Sequence, residues 1–124
     1  MSRILVVDDD SAIRHMVAQL LAAESYEVAE AENGARALDQ VRAERPDGIV
    51  LDLMMPVMDG PTFLDDCRQM PGCADIPVVV MSATQNILDV ASQAHVKACI
   101  AKPFDVEALV AVVERFVPPS NASA

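Results

Sequence analysis

The sequence predicts a doubly wound α/β domain, a parallel β-sheet with helices packed on both faces. Three observations carry that prediction. Short apolar runs rich in β-branched residues and free of polar alternation read as strands buried on both faces. Longer stretches with helical periodicity separate them. The two kinds of segment alternate five times, the order that a parallel sheet with crossover helices requires.

The strongest strands are Ile4-Leu5-Val6-Val7, Ile49-Val50-Leu51 and Val78-Val79-Val80-Met81, with weaker candidates at 27–31 and 98–101. Helical patterns occupy 11–24, 35–44, 61–70, 85–94 and 105–117. In the last of these, Val106, Leu109, Val110, Val113 and Phe116 fall on one stripe. Asp10 and Ser11 offer N-cap chemistry to the first helix. The domain is expected to span residues 2–117, with 118–124, opening on Pro118-Pro119, as a tail or linker stub.

A chain of 124 residues suits one domain with a core large enough to fold unaided. Its 52 % hydrophobic content excludes a disordered tail. No apolar run approaches the ~18–20 residues of a membrane span. The N-terminus reaches Asp8 too early for the apolar segment of a signal peptide, so a soluble, cytoplasmic chain is expected. Nineteen acids against nine bases leave a net charge of −10, which argues against direct contact with nucleic acid or an anionic membrane. A protein partner or a metal ion remains compatible with that charge. Cys67, Cys73 and Cys99 form no CxxC pair, so three reduced thiols are expected rather than a disulfide or a zinc site. His15 and His95 have no ligand partner at useful spacing and read as surface or helix-end residues.

In a sheet of this kind the functional crevice lies at the carboxyl ends of the strands. Asp8, Asp9 and Asp10 follow the first strand, Asp52 the third, Ser82 and Thr84 the fourth, and Lys102 the fifth. With the first and third strands as neighbours, Asp8, Asp9 and Asp52 crowd together and need a counter-charge to stay ionised. Mg²⁺ suits, because it accepts one or two carboxylates, keeps several waters and shares its shell with phosphate oxygens; the Lys102 ammonium is a second source of charge. A carboxylate beside a divalent ion, a lysine and a hydroxyl is equipped to accept a phosphoryl group. Taken singly, each acid reads as a helix cap or a solvated residue. Their convergence on one edge carries the functional reading.

The chain resembles the receiver domains of two-component response regulators, a family that includes the chemotaxis regulators. The resemblance rests on Ile4-Leu5-Val6-Val7-Asp8-Asp9-Asp10, Asp52-Leu53-Met54-Met55-Pro56-Val57-Met58-Asp59-Gly60, Met81-Ser82-Ala83 and Lys102-Pro103-Phe104. It implies a single flavodoxin-like (βα)5 domain with strand order 2-1-3-4-5. It further implies that Asp52 takes a phosphoryl group from the phosphohistidine of a sensor histidine kinase or phosphotransfer domain. Asp9, Asp52 and the backbone carbonyl of Met54 would hold Mg²⁺ (or Mn²⁺) directly, and Asp8 through water. Lys102 and the Ser82 hydroxyl would contact the phosphoryl group. Such a domain is no enzyme beyond its own phosphorylation and slow autodephosphorylation, and it signals to a protein target through its last helices.

Departures from the family pattern are as informative. Relatives carry an aromatic three residues before the lysine, which follows the Ser or Thr inward; here Cys99 holds that position. Of the switch positions Ser82 and Cys99, the first is kept and the second lacks its ring. Either other side chains carry the coupling or the shift of the last strand is smaller. His95 stands where many relatives have glycine, and Lys97-Ala98 where transcriptional relatives have an acidic pair for dimerisation. Ala12, Ile13 and Met16 on the first helix offer an apolar patch for kinase docking, unless Ile13 and Met16 pack into the core. Two rival readings differ in class. A receiver-like module could bind partners without phosphorylation. A phosphatase of the haloacid-dehalogenase type would use the Asp8-Asp9-Asp10 stretch but leaves Asp52 without a role.

Overall fold

Strands without a polar face need a helix layer above and below, and the computed structural model has both layers. It describes residues 2–52, 60–70, 75–82, 96–101 and 105–118. β1 (Arg3–Val7), β2 (Glu27–Ala31), β3 (Gly48–Asp52), β4 (Val78–Ser82) and β5 (Val96–Ala101) are all parallel and lie in the order β2-β1-β3-β4-β5. The described helices are α1 (Ser11–Ala23), α2 (Gly34–Ala43), α3 (Gly60–Gln69) and a C-terminal helix (Val106–Phe116). Fold class and strand order agree with expectation. The helix expected at 85–94 and the chain from Pro119 onward lie outside the described residues.

Strand side chains alternate between faces, so each strand feeds two cores. Leu5, Val7, Leu51 and Val80 pack with Leu38 of α2 and Phe63 of α3. Ile4, Val6, Val50 and Met81 pack on the opposite face with Val17 and Leu21 of α1 and Leu109 and Val113 of the C-terminal helix. Each such burial contributes about 1.5–3 kcal/mol. The two cores hold the strand ends in fixed register, and that register positions the acids described below.

The strands that were weak in the sequence are the two edges of the sheet. β2 is exposed to half-buried over most of its length, so it has no need of an unbroken apolar run. β5 starts at Val96, two residues before the expected start. Val78 pairs with Val96 but Val79 pairs with Ala98, so the ladder skips Lys97. An unpaired bulge residue interrupts the apolar pattern and hides the start of the strand.

The end of the C-terminal helix is tied to the starts of β2 and β3. The buried Tyr26 hydroxyl donates to the Val117 carbonyl, linking the start of β2 to the end of the C-terminal helix. Gly48, at the start of β3, lies so close to Val117 that an added Cβ would sit 2.6 Å from Val117 Cγ2. Ser25, between α1 and β2, has φ 75°, a left-handed conformation that a side chain adopts at some cost.

One expectation is corrected. Cys67, fully buried on α3, is disulfide-bonded, whereas Cys99 is a thiol. Cys73, the remaining cysteine of the sequence, lies outside the described residues. The sequence carries no CxxC spacing that would have marked Cys67 for pairing.

Candidate functional site

The carboxyl edge of the sheet is built from β1 and β3, which run side by side with Val7 opposite Leu51. The next residues along the two strands are Asp8 and Asp52. Asp8 is fully buried and Asp52 is only 4 % exposed, while Asp9 reaches solvent. One carboxylate oxygen from each of Asp8, Asp9 and Asp52 lies within 4.8 Å of the others. Three carboxylates so close, two of them withdrawn from water, attract a positive charge strongly. The donors are all hard oxygens, which fits a hard divalent cation rather than zinc or copper.

The local sequence explains why the acids stand where they do. Asp10 ends the β1–α1 connection as the N-cap, accepting from the Ala12 and Ile13 amides at 3.0 and 3.2 Å. Its own amide donates to Asp8 Oδ1 at 2.9 Å. Of the three consecutive acids, then, Asp10 caps the helix and Asp8 and Asp9 face the cluster. The Asp8 amide donates to the Ala31 carbonyl of β2 at 3.2 Å, extending the ladder one step past the strand.

Sequence reasoning missed a further group at this edge. Arg14, one turn into α1, donates from Nε to Glu30 Oε1 and from Nη1 to the Asp8 carbonyl, each at 3.0 Å. His15 also has a partner, with Nδ1 2.6 Å from the same Glu30 oxygen. The available signal was an arginine one turn past the acids and a glutamate at the end of a strand beside β1. Only the strand order puts the two together.

The other expected residues fall out as follows. Ser82 is the last residue of β4, pairing with Ala101 one step beyond the Met81–Asp52 contact, so its backbone stands at the same edge. Met54 and Lys102 lie outside the described residues, as does His95. Cys99 on β5 packs against the α2–α3 core, and burial pushes its thiol pKa up. On α1, Ala12 is exposed and Met16 is 40 % exposed, whereas Ile13 packs partly against the core beneath the helix. A groove of about 470 Å³ between α1 and the C-terminal helix, lined by Leu20, Glu24, Glu107, Val110 and Glu114 among others, includes none of the aspartates. Among the described residues, no helix is long and apolar enough to cross a membrane.

Residues 4–114 match the family model of the response regulator receiver domain. The response regulator MprA of Mycobacterium tuberculosis is 40 % identical over 112 residues, covering 88 % of this chain and 47 % of that protein. MprA of Mycolicibacterium vanbaalenii is 39 % identical over 127 residues, 97 % of this chain and 54 % of that protein. The chain thus spans about half the length of these relatives. Among solved structures, the Vibrio cholerae chemotaxis protein CheY4 superposes with a TM-score of 0.86 at 29 % identity, covering 94 % of this chain and 99 % of that one. The receiver domain of NtrX from Brucella abortus gives 0.83 at 32 % identity, with coverage of 94 % and 99 %.

Proposed function

This chain belongs to the response regulator receiver domain family, and from that premise we propose that Asp52 is its phosphoacceptor. The observation that carries the reading is the cluster itself. Asp52 ends a buried strand with its carboxylate withdrawn from water and two further carboxylates within 4.8 Å. The haloacid-dehalogenase reading gave Asp52 no role, and neither the family match nor this cluster favours it.

In the proposed reaction an Asp52 oxygen attacks the phosphorus of a phosphohistidine in line. The P–N bond breaks as the P–O bond forms, and the leaving imidazole keeps the electron pair and takes up a proton. The oxygen donor set fits Mg²⁺ or Mn²⁺, which Asp9, Asp52 and the Met54 carbonyl would hold, with Asp8 contributing through water. When bound, the ion supplies positive charge for the carboxylates and the transferring phosphoryl oxygens. Lys102 pairs with the phosphoryl group and the Ser82 hydroxyl bonds to one of its oxygens. The same edge later admits the water that slowly hydrolyses the acyl phosphate.

The donor is a sensor histidine kinase or phosphotransfer domain in the cytoplasm, docking on α1 at Ala12, Ile13 and Met16. The target is another protein, met by the last helices, with residues 2–117 as the signalling domain and 118–124 as tail or linker. Incubation with acetyl phosphate and Mg²⁺, followed by intact mass, tests the core of this reading. One added phosphoryl mass is expected on the wild type and none on Asp52→Asn or without the metal. No added mass on the wild type, even from a phosphorylated kinase, would favour a phosphorylation-independent binding module.

A further inference from the structure

We propose that Arg14 is a positioning residue for the acidic site, a clamp anchored by Glu30 that fixes the Asp8 peptide and thereby aims the Asp8 carboxylate at the cluster. The inference rests on the metal-binding reading above and goes beyond it to a residue outside the acid set. Its basis is the number of restraints that meet on Asp8. The Asp8 amide is held by the Ala31 carbonyl, its Oδ1 by the Asp10 amide, and its carbonyl by Arg14 Nη1 at 3.0 Å.

Arg14 is itself held. Its Nε bonds to Glu30 Oε1 at 3.0 Å, and the guanidinium side chain is only 14 % exposed. Glu30 directly precedes Ala31, so both ends of the clamp act on the same two strand ends. A planar guanidinium can bond to the carboxylate and the carbonyl at once from one rigid group; an ammonium has no such fork. The Asp8 backbone immediately precedes Asp9, so a loosened Asp8 peptide would misplace two of the three carboxylates. The groups that orient ligands to a metal are commonly worth ten- to a hundredfold in affinity.

The test is Mg²⁺ affinity by calorimetry for the wild type, Arg14→Ala, Arg14→Lys and Glu30→Gln, alongside hydrogen exchange of the Asp8 and Asp10 amides in the metal-free chain. Arg14→Ala should weaken Mg²⁺ binding about tenfold and speed exchange at both amides. Arg14→Lys should recover only part of the loss, because one ammonium cannot reproduce both bonds. Glu30→Gln keeps the side-chain size and an acceptor but loses the charge, so it should move both readouts in the same direction by less. A purely structural role would lower the urea midpoint of Arg14→Ala and leave the Mg²⁺ affinity of the folded fraction within twofold of wild type. That result overturns the clamp. If Arg14→Ala does not fold, Glu30→Gln decides, and unchanged affinity and exchange there overturn the clamp equally. A wild type that binds no Mg²⁺ overturns the functional reading itself, whereas a binding wild type with an unaffected Arg14→Ala overturns only the clamp.

Discussion

The Tyr26 hydroxyl donates its hydrogen bond to the carbonyl of Val117, across 91 residues of chain. Tyr26→Phe removes the donor and leaves that carbonyl without this bond, so urea unfolding should show a loss of about 1 kcal/mol. The phenol also carries a pH signature. Its pKa is pushed up from 10.0 to about 12, chiefly by burial and then by Glu114 and Glu24. A raised pKa favours the protonated form in the folded state, so its contribution is full below pH 10 and is lost as pH rises from 10 to 12. Stability measured across that window should fall for the wild type and fall less for Tyr26→Phe.

Gly48 meets the same C-terminal residue. A Cβ there would stand 2.6 Å from Val117 Cγ2 and 3.1 Å from Ile4 Cδ1. Valine has little rotamer freedom with which to give way. Gly48→Ala should therefore destabilise the domain by about 1–3 kcal/mol, read as a lower denaturant midpoint at unchanged m-value. An equally stable variant would mean that the chain end moves aside.

Metal binding should appear as thermal stability. A ligand at ten times its Kd adds about 1.4 kcal/mol to a fold that binds it. Mg²⁺ at that level should raise the Tm of the wild type by several degrees and leave that of Asp52→Asn nearly unmoved. Equal shifts in both would place the ion elsewhere on this acidic chain.

Met16 separates the docking reading from core packing, because it is exposed while Ile13 is partly covered. Met16→Glu should leave the fold intact and slow phosphoryl transfer from the cognate kinase by about tenfold, the effect of losing one modest hot spot. An unchanged transfer rate would remove α1 from the kinase interface.

Cys99 tests how the signal spreads. This small thiol packs against the α2–α3 core, and burial pushes its pKa up. With a phosphate mimic bound, NMR shifts should be large around Ser82 and small over residues 98–116. Comparable shifts in both regions would show that another side chain carries the coupling.

The sequence made β1, β3 and β4 legible because strands buried on both faces have no freedom in composition. It also exposed the acids, since strand ends in a parallel sheet share one edge. The start of β5 was hidden by Lys97, whose bulge is a matter of pairing and not of hydropathy. The Arg14–Glu30 bond and the disulfide of Cys67 were hidden for a related reason. The first joins segments whose proximity exists only after the chain has folded, and no CxxC spacing marks the second.

The edge position of β2 bears on how copies of the chain meet in a crowded solution. An edge strand offers unpaired backbone groups, a template on which another chain could add a strand. β2 carries Glu27 and Glu30 on opposite faces of that edge. Glu27 is paired with Arg3 and Glu30 with Arg14, so the repulsion that a second copy meets comes from the net charge of −10 of the whole chain. The composition that made β2 the faintest strand in the sequence, with charge on both faces, is of the kind that blunts an edge against strand addition.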